Sequence, residues 1–124
     1  MVVLDTSVLV RFLTQDIKSK AEKVKLLLET ERRLFLPEVV LPELEYVLGG
    51  QYGQSKEILV KSFNFLVNAK NIKTAKYVKK AIKIYKDNNI DMADCLIAAK
   101  SIGGKLASFD RSLLKVKEVK KYWD

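Results

Sequence analysis

The sequence predicts an α/β fold built around a buried, parallel sheet. Short β-branched runs alternate with longer segments whose apolar residues recur at helical spacing, which is typical of strands joined by helical crossovers. The run Val2-Val3-Leu4 is apolar at consecutive positions, as expected of a strand that is buried on both faces. With 124 residues and 48% hydrophobic content, the chain suits a single domain, 1–124, with one core.

In the first half of the chain, two strands and four helices are predicted. Asp5-Thr6-Ser7 follows the first strand and offers N-cap chemistry for a helix through Leu13. Pro42 suits the first turn of a later helix, because it has no N–H to lose there, and Gly49-Gly50 is expected to end that helix. The remaining elements are a helix at 17–30, a strand at 33–36 that Pro37 stops, and a helix at 55–68.

The second half is predicted to contain two helices and two strands. A weak strand pattern at 71–74 precedes a helix at 75–88, whose lysines point largely outward. A nearly all-apolar helix follows at 91–102, closed by Gly103-Gly104, and 105–109 is expected to form the last strand. The tail at 116–123 alternates basic and apolar residues and receives no assignment.

Composition narrows the possible function classes. The chain has 23 Lys and Arg against 15 Asp and Glu, and the resulting charge of +8 suits a polyanionic partner such as nucleic acid, although solubility alone would also explain it. Histidine is absent, which excludes His-dependent triads and HExxH zinc sites. The single cysteine, Cys95, excludes an internal disulfide and is expected to be an inert core residue. A strand-like start after Met1 and the lack of a membrane-length apolar run predict a soluble, cytoplasmic protein.

Four carboxylates occupy unusual positions. Asp5 and Asp110 each end an apolar run, whereas Glu43 and Asp94 each open an apolar, helix-like stretch. Because parallel strands carry ligands beyond their carboxyl ends, these acids are expected to converge at one edge of the sheet. Clustered carboxylates raise one another's pKa unless a cation neutralises them. Oxygen ligands without His or Cys favour Mg²⁺ or Mn²⁺, so the pattern predicts metal-dependent phosphodiester hydrolysis.

Each of these positions also has a structural explanation. Asp5 and Asp110 could cap helices, and Glu43 and Asp94 could complement helix dipoles. Asp91, one turn before Asp94, could be a helix cap, an outer metal ligand or an acid that supports the site. The lysines on the helix at 75–88 could form a solvated face or a phosphate track; the candidates for RNA contact are Lys76, Lys79 and Lys83.

Four motifs, in order along the chain, carry a family resemblance. They are Asp5-Thr6-Ser7-Val8-Leu9-Val10, Leu41-Pro42-Glu43-Leu44, Asp94-Cys95-Leu96-Ile97-Ala98-Ala99 and Leu106-Ala107-Ser108-Phe109-Asp110. They resemble the motifs of the PIN-domain family over essentially the whole chain, and the compact length most resembles the VapC toxins of toxin–antitoxin pairs. The resemblance implies a three-layer α/β/α fold with a central, mostly parallel sheet, and Mg²⁺- or Mn²⁺-dependent endoribonuclease activity. Cys95 departs from the more usual alanine.

The resemblance also implies residue roles and partners. The family's acidic residues map onto Asp5, Glu43, Asp94 and Asp110, with Asp5, Asp94 and Asp110 holding the metal and Glu43 completing the site or orienting the attacking water. Thr6 and Ser108 match hydroxyl positions that support the site by hydrogen bonding. VapC-type proteins commonly form homodimers and are silenced by an antitoxin, so an RNA substrate, an antitoxin and a second copy are the expected partners. A non-catalytic PIN-like module that binds RNA or protein is the alternative, with the acids serving as caps.

Overall fold

The sheet consists of three short parallel strands, all within the first 75 residues. They are β1 (Val2–Val3), β2 (Leu34–Phe35) and β3 (Ile72–Lys73), in the order β1-β2-β3. Val2 pairs with Leu34, and Leu34 in turn pairs with Ile72. The computed structural model describes all residues from 1 to 124. It confirms the predicted α/β fold class and the parallel strand direction.

The predicted burial of β1 on both faces is wrong. Val3 is 58% exposed, whereas Leu4 is buried. The reason is that β1 lies at the edge of the sheet, and the central position belongs to β2. Leu34 and Leu36 of that central segment are both buried, as expected of a strand with neighbours on each side.

Residues Met1–Ala75 form one compact unit, which contains the sheet. Its helices are α1 (Thr6–Thr14), α2 (Lys18–Thr30), α3 (Val40–Leu44), a π-helix (Glu45–Gln51) and α4 (Lys56–Asn68). Two of them begin as the sequence predicts: Asp5 caps α1, and Ser55 caps α4 by accepting a hydrogen bond from the Ile58 amide at 3.3 Å. Leu9 of α1 and Phe63 of α4 are fully buried in the core of this unit.

The expectation that Gly49-Gly50 ends a helix is wrong. Both glycines lie inside the π-helix, which continues directly from α3 to Gln51. The Tyr52 amide donates to the Val47 carbonyl at 3.3 Å, which is the five-residue spacing of a π-turn. Gly53, two residues after the end of the π-helix, has a φ of +64°, a conformation that glycine adopts without strain.

Residues Lys76–Asp124 form the second compact unit. It contains α5 (Val78–Asp87), α6 (Met92–Ser101) and the short α7 (Arg111–Leu114). α5 and α6 pack against each other. The buried side chains of these two helices include Val78, Ala81, Ile82, Met92, Cys95 and Ala98. Cys95 is therefore a core residue, as predicted. The single-domain prediction for 1–124 stays a prediction.

The predicted strand at 105–109 is wrong. Only Leu106 pairs, through an isolated parallel bridge to Lys121. The Leu106 amide donates to the Lys120 carbonyl at 2.7 Å, and the Tyr122 amide donates to the Leu106 carbonyl at 2.9 Å. The pairing partner is thus the tail that the sequence pattern left unassigned.

Among the helices of the chain, none has the length and apolar character needed to cross a bilayer.

Replacing Phe63 with Ala is expected to lower the free energy of unfolding by about 3–5 kcal/mol, because the change opens a cavity in the core of the first unit. Phe65 on the same helix is the matched control: it is 52% exposed and stacks on Phe12 with ring centroids 5.9 Å apart. Phe65→Ala should cost only about 1 kcal/mol. Urea unfolding of the three proteins measures both values, and equal losses would contradict the assigned core.

Candidate active site

In the first unit, Asp5 is held at the start of α1 by Ser7. Its Oδ2 atom accepts hydrogen bonds from the Ser7 amide at 3.1 Å and from the Ser7 hydroxyl at 2.5 Å. These bonds, the hydroxyl first, lower the pKa of the Asp5 carboxyl below its ordinary value. Asp5 is therefore an ionised, oriented carboxylate at an exposed position. Ser7 has this supporting role although the sequence indicated it only as part of a capping run.

Glu43 joins Asp5 in the same cavity. It lies in the first turn of α3, as predicted, and accepts a hydrogen bond at Oε1 from the Thr6 hydroxyl. This bond ties the start of α1 to α3 and fixes the direction of the Glu43 carboxylate. Asp5, Thr6 and Glu43 line one open cavity of about 770 Å³. The first unit thus presents two carboxylates on a shared, solvent-accessible surface.

A charged network lines another part of this cavity. Arg11 Nη1 lies 2.7 Å from Asp16 Oδ2, and the Tyr52 hydroxyl donates to the same oxygen at 2.8 Å. The Tyr52 hydrogen bond is the main reason why the pKa of Asp16 is lowered. Arg11 and Tyr52 both line the cavity, so an anion entering it meets a guanidinium that Asp16 partly neutralises. Sequence reasoning missed this network, because Asp16 and Tyr52 are 36 residues apart.

In the second unit, Asp94 is a partly buried carboxylate at the start of α6. It lies in the first turn of α6, and its amide donates to Asp91 Oδ1 at 2.9 Å. Burial, and then the negative charges of Asp91 and Asp110, raise the pKa of the Asp94 carboxyl. The two neighbours therefore lie close enough to destabilise the ionised form of Asp94. Asp91 is the N-cap of α6, which is one of the roles considered for it.

Asp110 is positioned by a helix, as its capping interpretation predicted, and does not follow the strand that was expected at 105–109. Its Oδ1 atom accepts hydrogen bonds from the amides of Ser112 at 2.9 Å and Leu113 at 3.2 Å, which makes it the N-cap of α7. The Asp110 amide donates to the Ser108 hydroxyl at 3.0 Å. Ser108 thus holds the backbone of Asp110 directly.

The donor chemistry of both groups fits a hard divalent cation. Asp5 and Glu43 in the first unit, and Asp94 and Asp110 in the second, offer only carboxylate oxygens, which Mg²⁺ and Mn²⁺ prefer. Burial, and then the negative charges of Asp91 and Asp110, raise the pKa of Asp94, and a bound cation would oppose this shift. Residues 1–124 contain no group of three or more His, Cys, Asp or Glu side chains arranged to hold a metal ion, so the metal-ligand set stays a prediction. A pair of carboxylates would leave coordination positions of the cation for water, which Mg²⁺ keeps readily.

The candidate RNA-contacting lysines are exposed. Lys79 and Lys83 lie on α5, and Lys76 lies just before it. Lys80 differs from them, because it forms an ion pair with Glu118 at 2.8 Å and is only partly exposed. Tyr77, next to Lys76, is half-buried with the Lys100 ammonium 5.1 Å from its ring centroid. The RNA-binding role of the three lysines stays a prediction.

Comparisons with known proteins bear on the whole chain. The family model described as PIN domain matches residues 2–119, which includes most of both units. A VapC ribonuclease from Aquifex aeolicus (strain VF5) is 32% identical over 125 residues, an alignment that covers 94% of this chain and 92% of the relative. The predicted family resemblance is confirmed by both findings.

Replacing Asp94 with Asn is expected to raise the melting temperature at neutral pH in EDTA. Because the folded protein binds the Asp94 proton more tightly than the unfolded chain does, stability falls as pH rises from about 4, the ordinary Asp pKa, through the raised value. Asp94→Asn has no carboxyl at this position and does not show this loss of stability. Its melting temperature should therefore exceed that of the parent protein at neutral pH but not below about pH 4. Thermal melts over this pH range test the expectation. Glu22→Gln, an exposed change on α2, is the control and should follow the parent protein.

Asp91→Ala should lower the free energy of unfolding by about 1 kcal/mol relative to Asp91→Ser. Both variants remove the same negative charge, so their difference isolates the hydrogen bond to the Asp94 amide, which Ser can replace. Urea unfolding measures this difference. Equal stability of the two variants would show that Asp91 does not act as a cap.

Proposed function

The chain belongs to the PIN domain family and is of the VapC type, and on this premise we propose that it is a metal-dependent endoribonuclease that hydrolyses RNA phosphodiester bonds. The observation that carries the proposal is the shared cavity of Asp5 and Glu43, whose carboxylates are held in place by Ser7 and Thr6. The Aquifex relative, named a ribonuclease, supports the choice of substrate.

In this proposal Asp5, Asp94 and Asp110 hold Mg²⁺ or Mn²⁺, directly or through water, and Glu43 completes the site or orients the attacking water. The assignment of one metal to acids from both units rests on the order of the motifs along the chain. When bound, the cation would neutralise the charge of the phosphate oxygens and lower the pKa of water.

The chain's own residues would orient the attacking water and take its proton. Ser7 keeps Asp5 ionised, and the Thr6 hydroxyl directs one oxygen of Glu43, which leaves the other free to accept a hydrogen bond from water. Because the chain has no histidine, imidazole cannot take the proton from the attacking water. An exposed carboxylate that is held in place, as Glu43 is, suits this task.

The partners of the protein follow from the same proposal. The net charge of +8 favours association with a polyanion such as RNA. As a VapC-type protein, the chain would be the toxin of a toxin–antitoxin pair, cytoplasmic and homodimeric, with an antitoxin that inserts a cation into the acidic site. An arginine would suit this insertion, since its guanidinium pairs with carboxylates through two hydrogen bonds.

One observation favours the alternative, a non-catalytic module that binds RNA or protein. Asp5, Asp91 and Asp110 all cap helices, so helix stability alone explains their presence. Helix capping does not explain the hydrogen bond from Thr6 to Glu43 or the unfavourable burial of Asp94. These two features favour the nuclease.

Asp5→Asn, Glu43→Gln and Asp94→Asn should each lower the rate of RNA cleavage by about 100-fold or more. The Asn variant at position 5 should keep the fold, because Asn is a good N-cap residue. Cleavage of single-stranded RNA in Mn²⁺ measures the loss, with Glu22→Gln as a control of unchanged activity. Metal-dependent activity that persists in Asp5→Asn would overturn the assignment.

A Mn²⁺ titration separates the nuclease from the module. The nuclease should gain thermal stability with added Mn²⁺ and cleave RNA over the same concentration range, because one binding event supports both. Asp94→Asn should lose the stabilisation as well as the cleavage. Stabilisation of the parent protein without cleavage of any RNA would favour the module.

A further inference from the structure

Three exposed aromatic side chains lie together in the second unit. Phe109 and Trp123 stack face to face, with ring centroids 5.0 Å apart and planes 3° from parallel. Tyr122 meets the Trp123 ring edge-on at 5.3 Å. Phe109 is 87% exposed, Tyr122 60% and Trp123 51%. We refer to these three residues as the aromatic cluster.

The aromatic cluster is built by backbone pairing. The parallel bridge between Leu106 and Lys121 sets two segments of the chain side by side. Two to three residues beyond this bridge, the segments bring Phe109 against Trp123. Asp110, the N-cap of α7, follows Phe109 directly and fixes the backbone on its other side. The stack is therefore held at both ends by hydrogen-bonded backbone.

Cations flank the aromatic cluster on both segments. Lys105 and Arg111 lie on one segment, and Lys120 and Lys121 lie on the other, all exposed. The carboxylates next to the aromatic cluster are Asp110, which follows Phe109, and Asp124, which follows Trp123. An apolar protein partner would have to remove water from these charges, whereas a polyanion would be attracted by them. Proteins that bind unpaired nucleic acid strands commonly combine aromatic rings with cations, since the bases stack on the rings and the phosphates pair with the cations.

We propose that the aromatic cluster is a stacking site for an unpaired RNA base, with the adjoining phosphates along the flanking cations. The base stacks on the exposed rings of Phe109 and Trp123 and extends the pair that they already form. This inference rests on the proposed function in taking RNA as the ligand. Because Phe109 directly precedes Asp110, a base stacked there would hold the strand close to that acid. Since every base has a π-face, the site would bind RNA with little sequence preference.

Trp123 itself reports on this site, because it is the only tryptophan of the chain. A single-stranded RNA oligonucleotide, added in EDTA to prevent metal-dependent cleavage, should quench the Trp123 fluorescence at saturation. An abasic oligonucleotide of the same length carries the phosphates without the bases and should leave the fluorescence nearly unchanged. Fluorescence anisotropy of labelled RNA measures binding independently.

Phe109→Leu keeps an apolar side chain but removes the aromatic face, so it should weaken RNA binding by about fivefold or more. Phe65→Leu is the matched control, because Phe65 is also exposed and also stacks on an aromatic ring, that of Phe12. This control should bind RNA as the parent protein does. Circular dichroism of both variants verifies that they are folded.

The outcomes separate this inference from the proposed function. Quenching by RNA together with loss of affinity in Phe109→Leu supports the stacking site, even if no RNA is cleaved under any condition. RNA binding without quenching, or with unchanged affinity in Phe109→Leu, overturns it, even if cleavage proceeds. The absence of RNA binding also overturns it. A dimer in sedimentation that Phe109→Leu dissociates, without an effect on RNA, would assign the aromatic cluster to a second copy of the chain.

Discussion

Hydrogen bonds from the first amides of helices to aspartate side chains determine where the acids of this protein stand. Asp5 accepts from Ser7, Asp91 from Asp94, and Asp110 from Ser112 and Leu113. Each of these bonds satisfies an amide that the helix itself leaves unpaired, and the helix dipole stabilises the negative charge. The same bond thus starts a helix and fixes the direction of a carboxylate. Capping and metal binding are compatible, because a capping carboxylate keeps lone pairs for a cation.

The acids nevertheless differ in their electrostatic surroundings. Asp5 has its charge stabilised by the Ser7 hydroxyl, so its pKa is lowered. Asp94 is partly buried and also feels the negative charges of Asp91 and Asp110, so its pKa is raised. The expectation that clustering raises the pKa of the acids therefore holds for Asp94 and fails for Asp5. An enzyme of the proposed kind would benefit from both, with one permanent anion and one carboxylate that gains most from a cation.

Much of the fold was predictable, because helical periodicity and capping residues are local signals. The helices at 17–30 and 55–68 begin and end within a residue or so of their predicted bounds. The π-helix was not predictable, since glycines within a helix resemble a helix end in the sequence. The segment 105–109 has a strand's composition, but a strand also needs a partner of matching length, and only Leu106 finds one.

The candidate site divides in the same way. The sequence by itself determined the α/β class, the chemistry of an all-oxygen donor set and the family, because residue type, periodicity and motif order are properties of the chain. Only the tertiary structure decided that Thr6 holds Glu43, that Asp16 joins Arg11 to Tyr52, and that Phe109 stacks on Trp123. Apart from the pair of Arg11 and Asp16, these contacts join residues that are far apart in the chain. Their distances depend on packing and backbone pairing, which no local pattern encodes.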